Sequence, residues 1–115
     1  MYKRKDTNQI PKDSKIYISI PITGVPKDLV EQQVSEVKTM LDTKECVSLN
    51  PLDIPDGPDW YYFMRESVKL LADADIIYMM PGWRESRGCI LERYLAMRLN
   101  IPVMYDEKVN EYDDN

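Results

Sequence analysis

Apolar positions follow two rhythms that alternate along the chain. IYISI (16–20) is a β-rich run, and residues 27–41 place Val30, Val34, Val37 and Leu41 at helical spacing behind Pro26, a residue suited to a helix start. CVSLN (46–50) reads as a second strand, and the proline-rich decapeptide NPLDIPDGPD (50–59) as loop. Residues 60–74 predict a helix with Asp59 as its N-cap, and the unbroken apolar run IIYMM (76–80) predicts a buried strand. PGWRE then leads into a third helix over 86–99, with Asn100 as its C-cap, and IPVMY (101–105) predicts a fourth strand.

Strands alternating with helices in this way imply right-handed crossovers and a parallel sheet flanked by helices, in the order 2-1-3-4. Ligands on such sheets sit beyond the carboxyl ends of the strands. The loops that matter are therefore PITG (21–24), the proline-rich loop after Asn50, and PGWRESRG (81–88).

Composition narrows the chemistry. The 115 residues contain no histidine, which excludes Ser/His/Asp and Cys/His catalytic units and His-ligated zinc. Proton transfer falls to carboxylates, tyrosine, lysine or cysteine. Cys46 and Cys89 are too few for a zinc knuckle or a disulfide framework and read as reduced core residues, so neither a metal nor a cofactor is expected. The net charge of −5 is unevenly spread. Residues 1–14 read as a basic polar arm, 15–105 as one domain with a single core, and 106–115 as a mobile acidic tail whose Val109 and Tyr112 are placed to dock on a partner subunit. An acidic balance disfavours a nucleic-acid polymer as partner, and no apolar run approaches the length of a membrane span, so a cytoplasmic location is expected.

The most informative stretch is SRGCILE, Ser86 to Glu92, which runs from loop into helix. Unpaired amides at a helix start, together with the Ser86 hydroxyl and the charges of Arg84 and Arg87, make an anion site. Glu92 lies one turn beyond Gly88, about 6 Å along the axis, so its carboxylate leans back over a residue without a side chain. Ala96 continues that small-residue face. The bland account of the same residues is a solvated glutamate, a serine cap and a packing glycine. PITG, with Gly24, is either a close backbone approach to a ligand or a turn, and it lacks the three spaced glycines of a dinucleotide fingerprint. Trp60, Tyr61, Tyr62, Phe63 and Trp83 are aromatic enough to sandwich a base, although most aromatics at helical spacing are core. One or two of them are expected against a ligand, most readily Trp83, because it sits in a ligand-side loop. Asp73 and Asp75 border the third strand on its amino side and read as structural.

KIYISIPITG, WYYFMRESVKLLADADIIYMMPGW and SRGCILE with the following alanine and IPV together resemble the nucleoside 2-deoxyribosyltransferase superfamily, in particular its small single-domain branch. The resemblance implies a flavodoxin-like fold and cleavage of the N-glycosidic bond of a deoxynucleoside or its 5′-monophosphate, with Glu92 as the nucleophile. It also implies substrate contacts from Tyr17, Pro21, Gly24, Trp83, Ser86, Arg87 and Gly88, and a homodimer or larger homo-oligomer. One departure bears on activity: the family's second-helix aspartate, counted back from Asp75, corresponds here to Ser67. Glu66 is rotated about 100° away around the helix, and Asp53, Asp56 and Asp59 lie in the loop before it. Two readings follow, an N-glycosyl-transferring enzyme and a non-catalytic nucleotide-binding module, with a purely structural domain as a third.

Overall fold

In the computed structural model, which describes residues 10–109, the four apolar runs form β1 (Lys15–Ser19), β2 (Val47–Leu49), β3 (Ile76–Met79) and β4 (Val103–Tyr105). They make one parallel sheet in the order β2-β1-β3-β4, with Tyr17 beside Leu49 on one side and Ile77 on the other. Three helices connect them: α1 (Lys27–Thr43), α2 (Trp60–Ala72) and α3 (Arg87–Arg98).

The two-residue period of the strands divides the interior into two cores. Ile16, Ile18, Ile20, Ile76, Tyr78, Met80 and Met104 point to the α1 side, where Val30, Val34, Val37 and Leu41 meet them. Tyr17, Ile77, Met79, Val103 and Tyr105 point the other way, onto Leu71 of α2 and Cys89 and Ala96 of α3. This is the flavodoxin-like three-layer arrangement, and it puts Tyr17 and Ser19 on the face that α3 covers.

The capping residues act as their types predict. Asp59 Oδ1 accepts the Tyr62 amide at 2.9 Å, and Ser86 Oγ accepts the Cys89 amide at 3.2 Å. Asn100 takes a left-handed φ of 59° just beyond the end of α3. The fourth strand starts later than the run 101–105 suggests, because the Ile101 amide is used to close α3 on Ala96 O and Pro102 has no amide to give. Asp75 accepts the backbone amide of Lys15 at 2.8 Å and Asp73 pairs with the Lys15 ammonium at 3.2 Å, which pins the amino ends of β1 and β3 together.

The packed region extends past the boundaries drawn from charge. Ile10 is buried in the α1-side core, ahead of residue 15. Asp106 and Val109 are also buried, which corrects the expectation that the tail is free from residue 106 onward. The Asp106 amide continues the ladder to Met79 O, its carboxylate accepts the Tyr78 hydroxyl at 2.8 Å, and Val109 joins the α2–α3 core. Charge composition misses this because one buried valine and one paired aspartate are enough to dock a short segment. The remainder of the tail, with Tyr112, and the first nine residues lie outside the described residues.

Candidate active site

β1 supplies the two hydroxyls and α3 the carboxylate of a buried polar cluster. Tyr17 and Ser19 are two residues apart on one strand and so face the same side, toward α3. The Tyr17 hydroxyl donates to Glu92 Oε2 at 2.6 Å and the Ser19 hydroxyl to Oε1 at 2.7 Å. Tyr17 and Ser19 thus hold one carboxylate oxygen each, and the Ser67 hydroxyl is near enough to act on the same group. Glu92 is 4% exposed, which disposes of the solvated-glutamate account. Burial raises its carboxyl above the ordinary range, against the lowering effect of the hydroxyls of Tyr17, Ser19 and Ser67. Burial, and then the glutamate's charge, hold the Tyr17 phenol well above its usual value. Burial also pushes the Cys89 thiol up to about 11.

Glu92 and Tyr17 line a cavity of about 270 Å³ whose other walls include Ile20, Ile22, Phe63 and Met64. Thr23, Trp60 and Gly88 are shared with an adjoining cleft of about 620 Å³, lined further by Pro21, Gly82, Glu85, Ser86 and Arg87. The small carboxylate chamber therefore opens beside the start of α3, beyond the carboxyl ends of β1 and β3.

Of the residues expected to touch a ligand, Tyr17 and Glu92 line the inner chamber, Pro21, Ser86 and Arg87 the outer, and Gly88 both. Gly88 is small for a packing reason as well: a side chain there would come within 3.2 Å of Met64 Sδ, so the glycine lets α3 approach α2. The Arg87 guanidinium lies 3.7 Å from the centroid of the Trp60 ring, while Arg84 is stacked over Trp83 at 5.2 Å. Gly24 lines neither chamber. It occupies the left-handed position (φ 78°) of a turn closed by the Val25 amide on Ile22 O, with open space where a side chain would stand. Trp83 lines neither chamber either. It is 5% exposed in the α2–α3 core, against Tyr105 and beneath the Arg93 guanidinium, because the left-handed turn at Gly82 sends it inward. Trp60 occupies the wall where Trp83 was expected.

Ser67 is fully buried beside the cluster and its hydroxyl donates to Met64 O at 3.0 Å. Glu66 points away and pairs with Lys69 at 2.7 Å. Asp53 is exposed and Asp59 is occupied as the α2 cap, so neither enters the chamber. Asp56 lines a separate cleft behind Ile22, Pro51 and Phe63. Among the described residues, no group of three or more metal-ligating side chains converges, and no helix is long and apolar enough to cross a membrane.

The profile of a domain of unknown function, DUF4406, matches residues 14–105. The chain belongs to the DUF4406 family. No curated protein sequence matches it. Among solved structures, this DUF4406 domain is similar to a 2-deoxyribosyltransferase of the psychrotolerant bacterium Bacillus psychrosaccharolyticus, with a TM-score of 0.65 and 16% identity over 87% of this chain and 79% of that one. A 2-deoxyribosyltransferase from Leishmania mexicana gives a TM-score of 0.64 and 23% identity over 83% of this chain and 63% of that one. A conserved protein from Enterococcus faecalis gives 0.66 and 18% over 89% and 70%. At these identities the likeness establishes the fold: this DUF4406 domain has the fold of the 2-deoxyribosyltransferases.

Ser19, Met64 and Cys89 are the site residues that sequence reasoning missed, while Trp60 and Phe63, two of the five candidate aromatics, line the inner chamber in place of the favoured Trp83. Ser19 carried a readable signal, since a hydroxyl two residues from Tyr17 must share its face. Nothing in the sequence marks Met64 as a wall residue rather than ordinary core.

Proposed function

We propose that this DUF4406 domain breaks the N-glycosidic bond of a nucleoside or nucleotide, with Glu92 as the nucleophile. The observation that carries the reading is a buried carboxylate lining a largely apolar chamber, each oxygen held by a β1 hydroxyl. Held in that way, one oxygen can attack the anomeric carbon as oxocarbenium character develops, and the glycosyl-enzyme is then resolved by water or a second base. The likeness in fold to 2-deoxyribosyltransferases supports the sugar as 2-deoxyribose. The experiment is incubation with each deoxynucleoside and its 5′-monophosphate, with and without an acceptor base, followed by chromatography for released base. Release that needs Glu92 supports the reading, and no release from any of them rejects it.

A second reading, binding without turnover, is favoured by one observation: the chamber is lined by a single carboxylate among the described residues, with Ser67 beside it in place of an acid. Calorimetric binding of the same compounds with no base release would select it.

The outer cleft fits the 5′ side of such a ligand. Ser86, the amides at the start of α3 and the in-plane N–H groups of Arg87, whose face is stacked on Trp60, are placed for a phosphate, while Glu85 opposes it. The 5′-monophosphate should bind about tenfold more tightly than its nucleoside at low salt, with the preference shrinking in Arg87→Ala. Equal affinities by calorimetry would return Arg87 to a packing role.

The same reading extends to self-association. Tyr61, Ile90, Leu91 and Tyr94 leave a broad apolar surface on α2 and α3. Sedimentation at micromolar concentration should show a dimer or larger species, and a monomer alone would remove this part of the proposal.

A further inference from the structure

Attack by Glu92 leaves the bonding pair of the C1′–N bond on the base, and that charge must be met by a proton or spread within the base itself. Among the described residues, five side chains lining the inner chamber carry an exchangeable proton or can accept one: Tyr17, Thr23, Trp60, Cys89 and Glu92. The indole N–H of Trp60 is far too weak an acid to protonate a departing base. Glu92 is the nucleophile. The Tyr17 proton is committed to Glu92 at 2.6 Å, and Thr23 is an alcohol. The Cys89 thiol, at about 11, is a poor acid. The other carboxylates nearby are engaged or walled off. Asp59 caps α2, Glu66 pairs with Lys69, and Glu31 and Asp56 line the cleft behind Ile22, Pro51 and Phe63. Glu85 stands in the outer cleft with Ser86, not with Glu92.

Resting on the N-glycosyl reading above, we propose that the chamber selects nucleosides whose base departs as a stabilised anion, with no proton supplied by the protein. That class includes the pyrimidine imides, uracil and thymine, whose N1 anion is delocalised over two carbonyl groups. Cytosine, whose N1 anion is far less stabilised and which leaves well only when protonated, is disfavoured. The balance closes in two steps. A Glu92 oxygen bonds to C1′ while the C1′–N1 pair leaves with the base. Water then attacks C1′, the carboxylate is expelled, and the proton that water sheds matches the one the base anion takes from solvent.

The test is single-turnover base release at about pH 6.5, with enzyme in excess, from 2′-deoxyuridines carrying fluorine, bromine, hydrogen or methyl at C5, and from 2′-deoxycytidine. The wild type is compared with Glu92→Gln, Glu85→Gln and Asp56→Asn. The expected result is a rate that climbs roughly tenfold for each unit by which the leaving base becomes more acidic, since nothing buffers the leaving group's charge. The cytosine substrate should trail 2′-deoxyuridine by about a hundredfold or more. Glu85→Gln and Asp56→Asn should leave that slope unchanged. Glu92-dependent release that is flat across the series, or as fast from 2′-deoxycytidine as from 2′-deoxyuridine, overturns the inference and leaves the glycosyl reading standing. So does a slope that steepens in Glu85→Gln or Asp56→Asn, which would identify the acid. Absence of Glu92-dependent release from every compound overturns both.

Discussion

Glu92→Gln is expected to lower base release by at least about three orders of magnitude, the scale of loss when a covalent nucleophile is removed. It is expected at the same time to leave the protein as stable as the wild type at neutral pH, or more so. The side chain keeps its shape, and the Tyr17 and Ser19 hydroxyls, which both donate and accept, can rotate to suit an amide. Stability responds through the raised carboxyl of Glu92. A folded-state value above the unfolded one means that the native state binds the proton more tightly, so stability falls as pH rises from the unfolded value through the folded one, and the cost is complete above it. Glutamine abolishes that slope. Thermal melts of the two proteins between about pH 4 and 8 should therefore converge at the acid end and separate in favour of the variant toward neutrality. A variant that melts well below the wild type at neutral pH would show that the ionised carboxylate holds the structure together, and wild-type turnover in it would remove Glu92 from the mechanism.

The fold was legible because its determinants are local and repeated. Isoleucines at 16, 18 and 20 can share a sheet face only if the run is a strand, and valines at 30, 34 and 37 can share a helix face only if theirs is a helix. Glu92 was legible through its place, one turn into the helix after a buried strand. What the sequence could not convey depends on direction. Trp83 and Trp60 both stand in segments at the carboxyl edge of the sheet, and the left-handed backbone at Gly82 turns one ring into the core while the other remains in the chamber wall. Gly88 borders both chambers, as its place beside the carboxylate suggests, but its missing side chain also admits Met64, a residue brought there by the packing of α2 on α3. Ile10 and Val109 look like members of polar arms because a window of composition cannot see one apolar residue docking on a distant surface.

Tyr17→Phe is expected to slow base release by about 10- to 100-fold at neutral pH, the equivalent of the ~1.5–3 kcal/mol that a hydrogen bond to a charged group contributes. The phenyl ring should fill the same space in the core, so the loss falls on Glu92 Oε2, which is left in a buried setting without its donor. Removing a donor to the ionised form raises the carboxyl further, and activity that requires ionised Glu92 then climbs with pH along a limb displaced to higher pH. Part of the lost rate should therefore return as the buffer becomes more alkaline. Ser19→Ala acts on the other oxygen and should move the limb in the same direction. Because both hydroxyls restrain one carboxylate, the double variant should lose less than the two single losses combined. The measurement is kcat/KM against pH for the wild type and the three variants. A rate that drops by the same factor at every pH would mean that Tyr17 and Ser19 hold the carboxylate's direction alone, and no change in either single variant would show that Glu92 does not depend on the β1 hydroxyls.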